Sequence, residues 1–448
     1  MSLEPPNPGP SPPESASAPP ASDPLPRHRS LWRHRDFMKV WTAQSISQFG
    51  DEVTQLALPF VAITVLGAGA FQMGVLGTFQ FLPFILLTLP AGVWVDRLRR
   101  RPILIGADLA RVVLLASIPV AFIMGWLSLV QLFVVGFLVG CMEVFFDVAH
   151  DSYLPSVVDR DQLPDGNAKF EISTSASSIA GPGIAGLLVA AVTAPFAILF
   201  DAVSYLLSAF FLLLVRRPEP APEPAAPPPP SDRPARRGSE MRREIGEGLR
   251  YVVGHQYLRP IATCTATFNL FGNMTQAVML LYLLQVFGLS VATVGILFSI
   301  GNVGVLLGAV TTGPIARRIG VGPAIVGSVI VGGPALLAVA LVPVAWAIPV
   351  LIVSGIVSGW SVVVYNVNQR SLRQAITPDR MLGRMTATMR FMVWGTIPIG
   401  TMTGGILGEL LGLRTTLIIG GLGMLLAFIP VLFSPVRSLQ RIPTPEPA

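Results

Sequence analysis

Twelve long apolar stretches, six on either side of an Arg- and Pro-rich break at 216–250, leave this 448-residue chain few ways to fold. They run over 38–65, 71–95, 103–123, 128–149, 167–192, 196–215, 259–286, 291–314, 322–342, 347–368, 386–410 and 415–434. A helix of about 20 mostly apolar residues crosses a hydrocarbon layer roughly 30 Å thick, and each stretch meets that length. In lipid every backbone polar group must be satisfied internally, so only helices and closed barrels span it. Barrel strands would be short and would alternate apolar with polar residues, which these runs do not. Charged residues make up only 12% of the chain, against roughly 25% in soluble domains. The pattern predicts an all-α membrane protein with twelve transmembrane helices in two six-helix bundles.

Charge sets the expected orientation. With an even number of spans, Arg414 alone among the 31 Lys and Arg residues falls on the side opposite the termini. Cytoplasmic loops hold the excess of Lys and Arg, so both termini are expected in the cytoplasm. The basic balance then reports topology and contact with anionic lipid heads in the bilayer, and argues against nucleic acid as a partner. The expected organisation is a disordered cytoplasmic tail at 1–30, a first bundle at 31–215, a cytoplasmic linker at 216–255, a second bundle at 256–436 and a cytoplasmic tail at 437–448. The linker expectation rests on its density of proline, which prevents a buried helix. Cys141 and Cys264 fall inside spans and read as small packing residues. No metal-ligand spacing, nucleophile elbow, Walker loop or dinucleotide fingerprint is present. The expectation is therefore no enzyme, no metal and no cofactor, with uphill work drawn from an ion gradient or a partner protein.

The two halves repeat weakly. Gly74-Val75-Leu76 pairs with Gly295-Ile296-Leu297 at an offset of 221, which also maps Gly92 onto Gly313, Arg97 onto Arg318 and Pro102 onto Pro323. Leu154, Val158 and Asp161 map onto Leu372, Ile376 and Asp379 at 218. Phe49-Gly50-Asp51 aligns with Phe271-Gly272-Asn273 at 222. Internal repeats of this kind characterise transporter folds whose site lies near the midplane between the repeats.

The loop Gly92-Val93-Trp94-Val95-Asp96-Arg97-Leu98-Arg99-Arg100-Arg101 resembles the signature between the second and third helices of the major facilitator superfamily, with Arg99 where Gly is common. Gly181-Pro182-Gly183-Ile184-Ala185-Gly186 resembles the antiporter motif of its drug-exporting branches, with Ala185 replacing a Gly. Ser47-Gln48-Phe49-Gly50-Asp51, Tyr153-Leu154-Pro155, Phe200-Asp201-Ala202-Val203-Ser204 and Pro378-Asp379-Arg380-Met381-Leu382-Gly383-Arg384 make the chain from Trp32 to Pro435 similar to the subgroup of the enterobactin exporter and macrolide efflux proteins. The resemblance implies the major facilitator fold, two pseudosymmetric lobes that rock about a central cavity, and a monomer.

Ionisable residues inside spans are expensive and mark function. Asp51 and Glu52 lie mid-span and are candidate proton-coupling acids; neighbours on a helix point about 100° apart, so one of them faces the cavity. The offset of 222 favours Asp51. An offset of 221 favours Glu52, and pairs Gln48 with Asn269 and Gln55 with Gln276. Span four brings Glu143, Asp147, His150 and Asp151 to one helical face. Glu143 is the second proton candidate, and Asp147 or Asp151 is expected to pair with Arg97 or Arg101 in a cytoplasmic gate with Gly92. Asp96 follows the C-terminus of its helix, where an acid is unfavourable without compensation. The resemblance implies that the start of span eleven, near Thr386, supplies it. Gly181, Pro182, Gly183 and Gly186 permit close helix approach and a bend. Gln55, Asn269, Asn273, Gln276, Asn302, Tyr365, Asn366 and Trp394 are candidate cavity residues, and Asp201 and Glu409 read as structural. The functional expectation is proton-coupled efflux of an amphipathic small molecule, such as an antibiotic, drug or siderophore, across the plasma membrane. A nutrient importer and a transport-inactive sensor are the alternatives.

Overall fold

The computed structural model describes residues 31–95, 97–159, 162–217, 219 and 237–441. The expected tail before Leu31, Asp96 and most of the proline-rich break lie outside them. The first half comprises α1 (Arg35–Phe60), α2 (Ala70–Val95), α3 (Arg100–Ile123), α4 (Leu129–Val157), α5 (Leu163–Val192) and α6 (Ala194–Leu213). A linker helix α7 (Arg237–Gly254) leads to α8 (Leu258–Leu281), α9 (Val291–Ile319), α10 (Val321–Leu341) and α11 (Ala347–Ile376). The eleventh span is α12 (Asp379–Trp394) plus α13 (Thr396–Leu411), and the twelfth is α14 (Leu413–Leu426) with the short α15 (Ile429–Leu432). The helices follow the twelve apolar runs. Nine described segments are long and apolar enough to cross a membrane by themselves. Polar residues dilute α1 and α8, and a break at Gly395 leaves α12 and α13 with 16 residues each.

Helix ends are set locally. The Ser128 and Ser290 hydroxyls accept the amides of Gln131 and Thr293 at 3.3 and 3.2 Å, capping α4 and α9. α4 and α11 continue past the apolar runs to Val157 and Ile376, because their polar ends still form helix beyond the hydrocarbon. Part of the linker is helical: 237–254 contains no proline, and its Gly248 lies against Thr388 and Arg384 of α12. The tail from 437 onwards begins by packing on α10, where the Gly322 amide donates to the Leu439 carbonyl at 2.8 Å.

The halves are structural copies. α1 packs on α5 and α6, α3 on α4 and α6, and α2 on α4. The second half repeats this as α8 on α13 and α14, α10 on α11 and α14, and α9 on α11. α1 and α8 both end in a five-residue π turn, Val61–Val65 and Tyr282–Val286, followed by Gly67 and Gly288 at φ 65° and 64°. These features are offset by 221 residues, which settles the register of spans one and seven. The same register puts Glu52 beside Gly181 of α5 and Asn273 beside Gly400 of α13.

Two symmetry-related contacts join the halves, α2 on α13 and α5 on α9. One apolar core, including Phe60, Leu76, Val189, Val278, Leu283 and Val294, runs through both halves on the face opposite the termini. On the termini face each half has a core of its own, one built around Phe37 and Tyr153 and the other around Ile325 and Leu372. The lobes are therefore sealed on one face of the membrane and parted on the other.

Candidate functional site

A cavity of about 130 Å³ lies inside the first bundle, lined by Asp51, Gln55, Gln80, Phe84, Glu143 and Tyr205 among others. From its polar wall a chain of contacts runs back across three helices. The Tyr205 hydroxyl of α6 donates a short hydrogen bond to Asp51 of α1. The Arg111 guanidinium of α3 sits 4.0 Å from the centroid of the Tyr205 ring and 4.5 Å from that of Phe146. Facing two aromatic rings, a desolvated guanidinium gains cation–π attraction. Arg111 donates to Asp108 at 2.6 Å, and the Ser208 hydroxyl donates to the other Asp108 oxygen at 2.7 Å. Asp108 and Arg111 are buried at 0% and 2% exposure, so this is an internal ion pair. Breaking such a pair costs about 3–5 kcal/mol, because a charge is left buried without a partner.

Asp51 and Glu52 part company as the helix geometry requires. Asp51 turns into its own bundle, whereas Glu52 packs on α5, where a methyl group on Gly181 would lie 2.7 Å from its Cγ. Of the two offsets left open by the sequence, the 221 register gives the place equivalent to Asn273 to Glu52. Asp51 nonetheless lines a cavity. Glu143 and Asp147 are not covered by protein, and Glu143 opens on the same cavity. Asp201, expected to be structural near a helix end, is fully buried against Gly50 in this cluster, and its Oδ2 lacks a hydrogen-bond partner.

The expected gate pairs do not form. Arg101 donates from Nε to the Leu212 carbonyl at 3.0 Å and from a terminal nitrogen to that of Leu213 at 2.7 Å. The open carbonyls at the C-terminus of α6 attract this cation more directly than Asp147 or Asp151 does. Arg97 is exposed in the turn after α2, and a methyl group at Gly92 would meet nothing within 4 Å. The basic residue within electrostatic reach of Asp147 from the opposite lobe is Arg390 of α12. Arg390 in turn lies 4.4 Å from the Trp394 ring, which meets Phe84 of α2 edge-on at 5.3 Å. Asp151 is exposed at the end of the acidic face, whereas His150 leaves that face to pack against Phe146 and Phe170.

The glycine motif of α5 divides its work. Gly181 makes room for Glu52 within the bundle, while Gly183 and Gly186 face α9. The Gly183 amide donates to the Ser299 hydroxyl at 2.7 Å, and Asn302 donates to the Ser178 carbonyl one turn away. Asn302 is therefore a strut between lobes rather than a cavity residue.

A second cavity, about 190 Å³, lies in the other half and is lined by Thr265, Phe268, Asn269, Ser361, Tyr365 and Asn366, among others. Tyr365 and Thr265 share a hydrogen bond of 2.6 Å. Asn269 and Asn273 follow each other along α8, each donating to the carbonyl four residues earlier, and Gln276 is exposed. At the offset of 218, Ser361 and Tyr365 replace Glu143 and Asp147, so the acids belong to one half only. Among the described residues no cluster of His, Cys, Asp and Glu could hold a metal ion. The sequence reading missed Asp108, Arg111 and Tyr205. The first two carried a signal, an Asp and an Arg three residues apart in an apolar span. Tyr205 carried none.

A lipid-spanning pair of six-helix lobes, sealed on one face around polar cavities, defines a membrane transporter for small molecules rather than an enzyme. The chain belongs to the family described as transmembrane secretion effectors, whose model matches residues 29–445, within the major facilitator superfamily. It is 26% identical over 395 residues to the multidrug efflux pump Tap of Mycolicibacterium fortuitum, covering 86% of this chain and 92% of that protein. It is 25% identical over 183 residues to macrolide efflux protein A of Streptococcus pyogenes, covering 41% and 45% of the two chains. Its fold is similar to that of a bacterial homologue of the iron transporter ferroportin in an inward-facing state. That match has a TM-score of 0.70 and 17% identity, and covers 90% of this chain and 99% of the other.

Proposed function

We propose that this chain is a monomeric, proton-coupled exporter of an amphipathic small molecule, such as an antibiotic, drug or siderophore. It works in the plasma membrane with both termini in the cytoplasm, so its parted face opens to the cell interior. One observation carries the reading. Asp51, Asp108 and Asp201 lie together inside the first bundle with Glu143 on the same cavity, and the cation buried with them among the described residues is Arg111, already paired with Asp108. Burying uncompensated carboxylates is costly, so protons or a cationic part of the cargo must neutralise those that Arg111 does not. If proton and cargo compete for the same acids, inward proton flow drives cargo outward. The neutral cavity of the other half offers Asn269, Asn366 and Tyr365 to the polar but uncharged parts of the cargo. The outward direction is supported by the efflux names of the two relatives and by the glycine motif of α5.

The test is accumulation of ethidium and radiolabelled erythromycin in a drug-sensitive bacterial host expressing the chain, with and without a protonophore. The proposal expects lower accumulation of at least one probe, with the difference abolished by the protonophore. Equal accumulation of both probes with and without the chain, at confirmed expression, would sink it.

A further inference from the structure

Because the halves are copies, the second half shows what packing alone requires of the first. At the offsets of the structural repeat, Asp51, Asp108, Arg111, Tyr205 and Ser208 correspond to Gly272, Val329, Gly332, Met424 and Ala427. The copy keeps the packing: Gly272 lies against Met424 where Asp51 meets Tyr205, and Gly332 lies against Ser361, the counterpart of Glu143. It keeps none of the charge. A six-helix lobe of this design therefore folds without a buried ion pair at this place, and the pair in the first half has another purpose.

Its geometry indicates which. Arg111 spends one terminal nitrogen on Asp108, sits over the Tyr205 ring and leaves its buried Nε–H without an acceptor. A buried donor without a partner is unfavourable, and it is a ready site for a second carboxylate. Tyr205 bridges Arg111 and Asp51, its ring against the guanidinium and its hydroxyl on the acid.

We propose that Arg111 is a positioning residue for proton exchange at Asp51. With Asp51 protonated, Asp108, itself held by Ser208, holds the guanidinium, and Tyr205 occupies one oxygen of Asp51. When Asp51 releases its proton to water in the cavity, the spare Nε–H of Arg111 becomes the counter-charge of the new carboxylate. Reprotonation returns Arg111 to Asp108. The ionisable groups around Asp51 are Glu52 on its own helix, Asp108 and Arg111 on α3, Glu143 and Asp147 on α4, and Asp201 and Tyr205 on α6. At this level α2 and α5 bring none. The inference rests on the proton-exchange reading above.

The experiment uses the full chain in proteoliposomes and whichever of ethidium and erythromycin the wild type moves. Two modes are compared: uptake driven by a pH gradient, and counterflow of labelled against unlabelled probe, which needs no net proton movement. The double variant Asp108→Asn with Arg111→Gln removes both charges and so leaves no buried orphan. It is expected to lose gradient-driven uptake at least ten-fold while counterflow falls less than about three-fold. Arg111→Lys, which keeps the cation, is expected to retain gradient-driven uptake within about three-fold of wild type. Gradient-driven uptake that survives in the double variant overturns the assignment. So does equal loss of both modes, or an Arg111→Lys variant as impaired as the neutral pair. If the wild type shows counterflow but ignores the gradient, proton exchange itself is wrong and the role of Arg111 falls with it.

Discussion

Gly186 and Gly295 meet backbone to backbone between the lobes, and Gly405 and Gly74 repeat that meeting at the symmetry-related contact. A methyl group at Gly186 would lie 2.9 Å from the Gly295 Cα and 3.0 Å from the Val291 carbonyl oxygen. These are backbone atoms, so relief requires α5 and α9 to separate. Overpacking of this kind costs about 1–3 kcal/mol, enough to shift a two-state equilibrium roughly 5- to 150-fold. Gly186→Ala is expected to part the sealed face and slow transport. Distances between spin labels at the outer ends of α5 and α9 check this, and an unchanged distance distribution would contradict it.

The twelve spans were legible because lipid demands long, uninterrupted apolar helices, and 221-residue matches such as Gly74 with Gly295 exposed the repeat. Less visible was the direction of each side chain. Asp51 and Glu52 are adjacent, and a register change of one residue exchanges their roles. The matched π turns, and the paired contacts of Glu52 with Gly181 and Asn273 with Gly400, decide between the registers. Arg101 illustrates a second limit: the acids of α4 looked like its natural partners, but the free carbonyls of α6 are invisible in a sequence. Tyr205 illustrates a third, since a tyrosine in an apolar span gives no hint that its hydroxyl reaches an acid on another helix.

Asp51 and Tyr205 can be separated by conservative changes. Tyr205→Phe keeps the ring against Arg111 but removes the donor to Asp51. A hydrogen bond to a charged group contributes roughly 1.5–3 kcal/mol. Tyr205→Phe is expected to lower proton-driven efflux by about ten-fold or more, the corresponding factor. Asp51→Asn is expected to abolish proton-driven efflux. Initial efflux rates at matched protein levels decide, and wild-type rates in Asp51→Asn would remove Asp51 from the coupling scheme.

Asp147 and Arg390 are both exposed, on opposite lobes of the parted side, so closure of that side is expected to bring them together. An interlobe ion pair formed on closure stabilises the closed state by about 1 kcal/mol, depending on how far it is desolvated. Asp147→Arg and Arg390→Asp are each expected to reduce drug resistance of the host several-fold by opposing closure. The double reversal is expected to recover it to within about three-fold of wild type. A double variant no better than the worse single one would show that the two residues act independently.

Thr193 joins α5 to α6 at φ 69° and ψ 157°, while its structural copy between α13 and α14 is Gly412 at φ 85° and ψ 157°. That region suits glycine, and a β-branched residue held there carries strain of roughly 1–3 kcal/mol. Glycine loses more chain entropy on folding, a penalty of about 0.5–1 kcal/mol. The balance favours Thr193→Gly, whose apparent melting temperature in detergent is expected to rise by about 1–4 °C. Gly412→Thr imposes the same strain on the other half and is expected to lower it. Because neither residue belongs to the acid cluster, transport per folded molecule is expected to hold in Thr193→Gly. A lower melting temperature for Thr193→Gly would mean that its threonine makes contacts outweighing the strain.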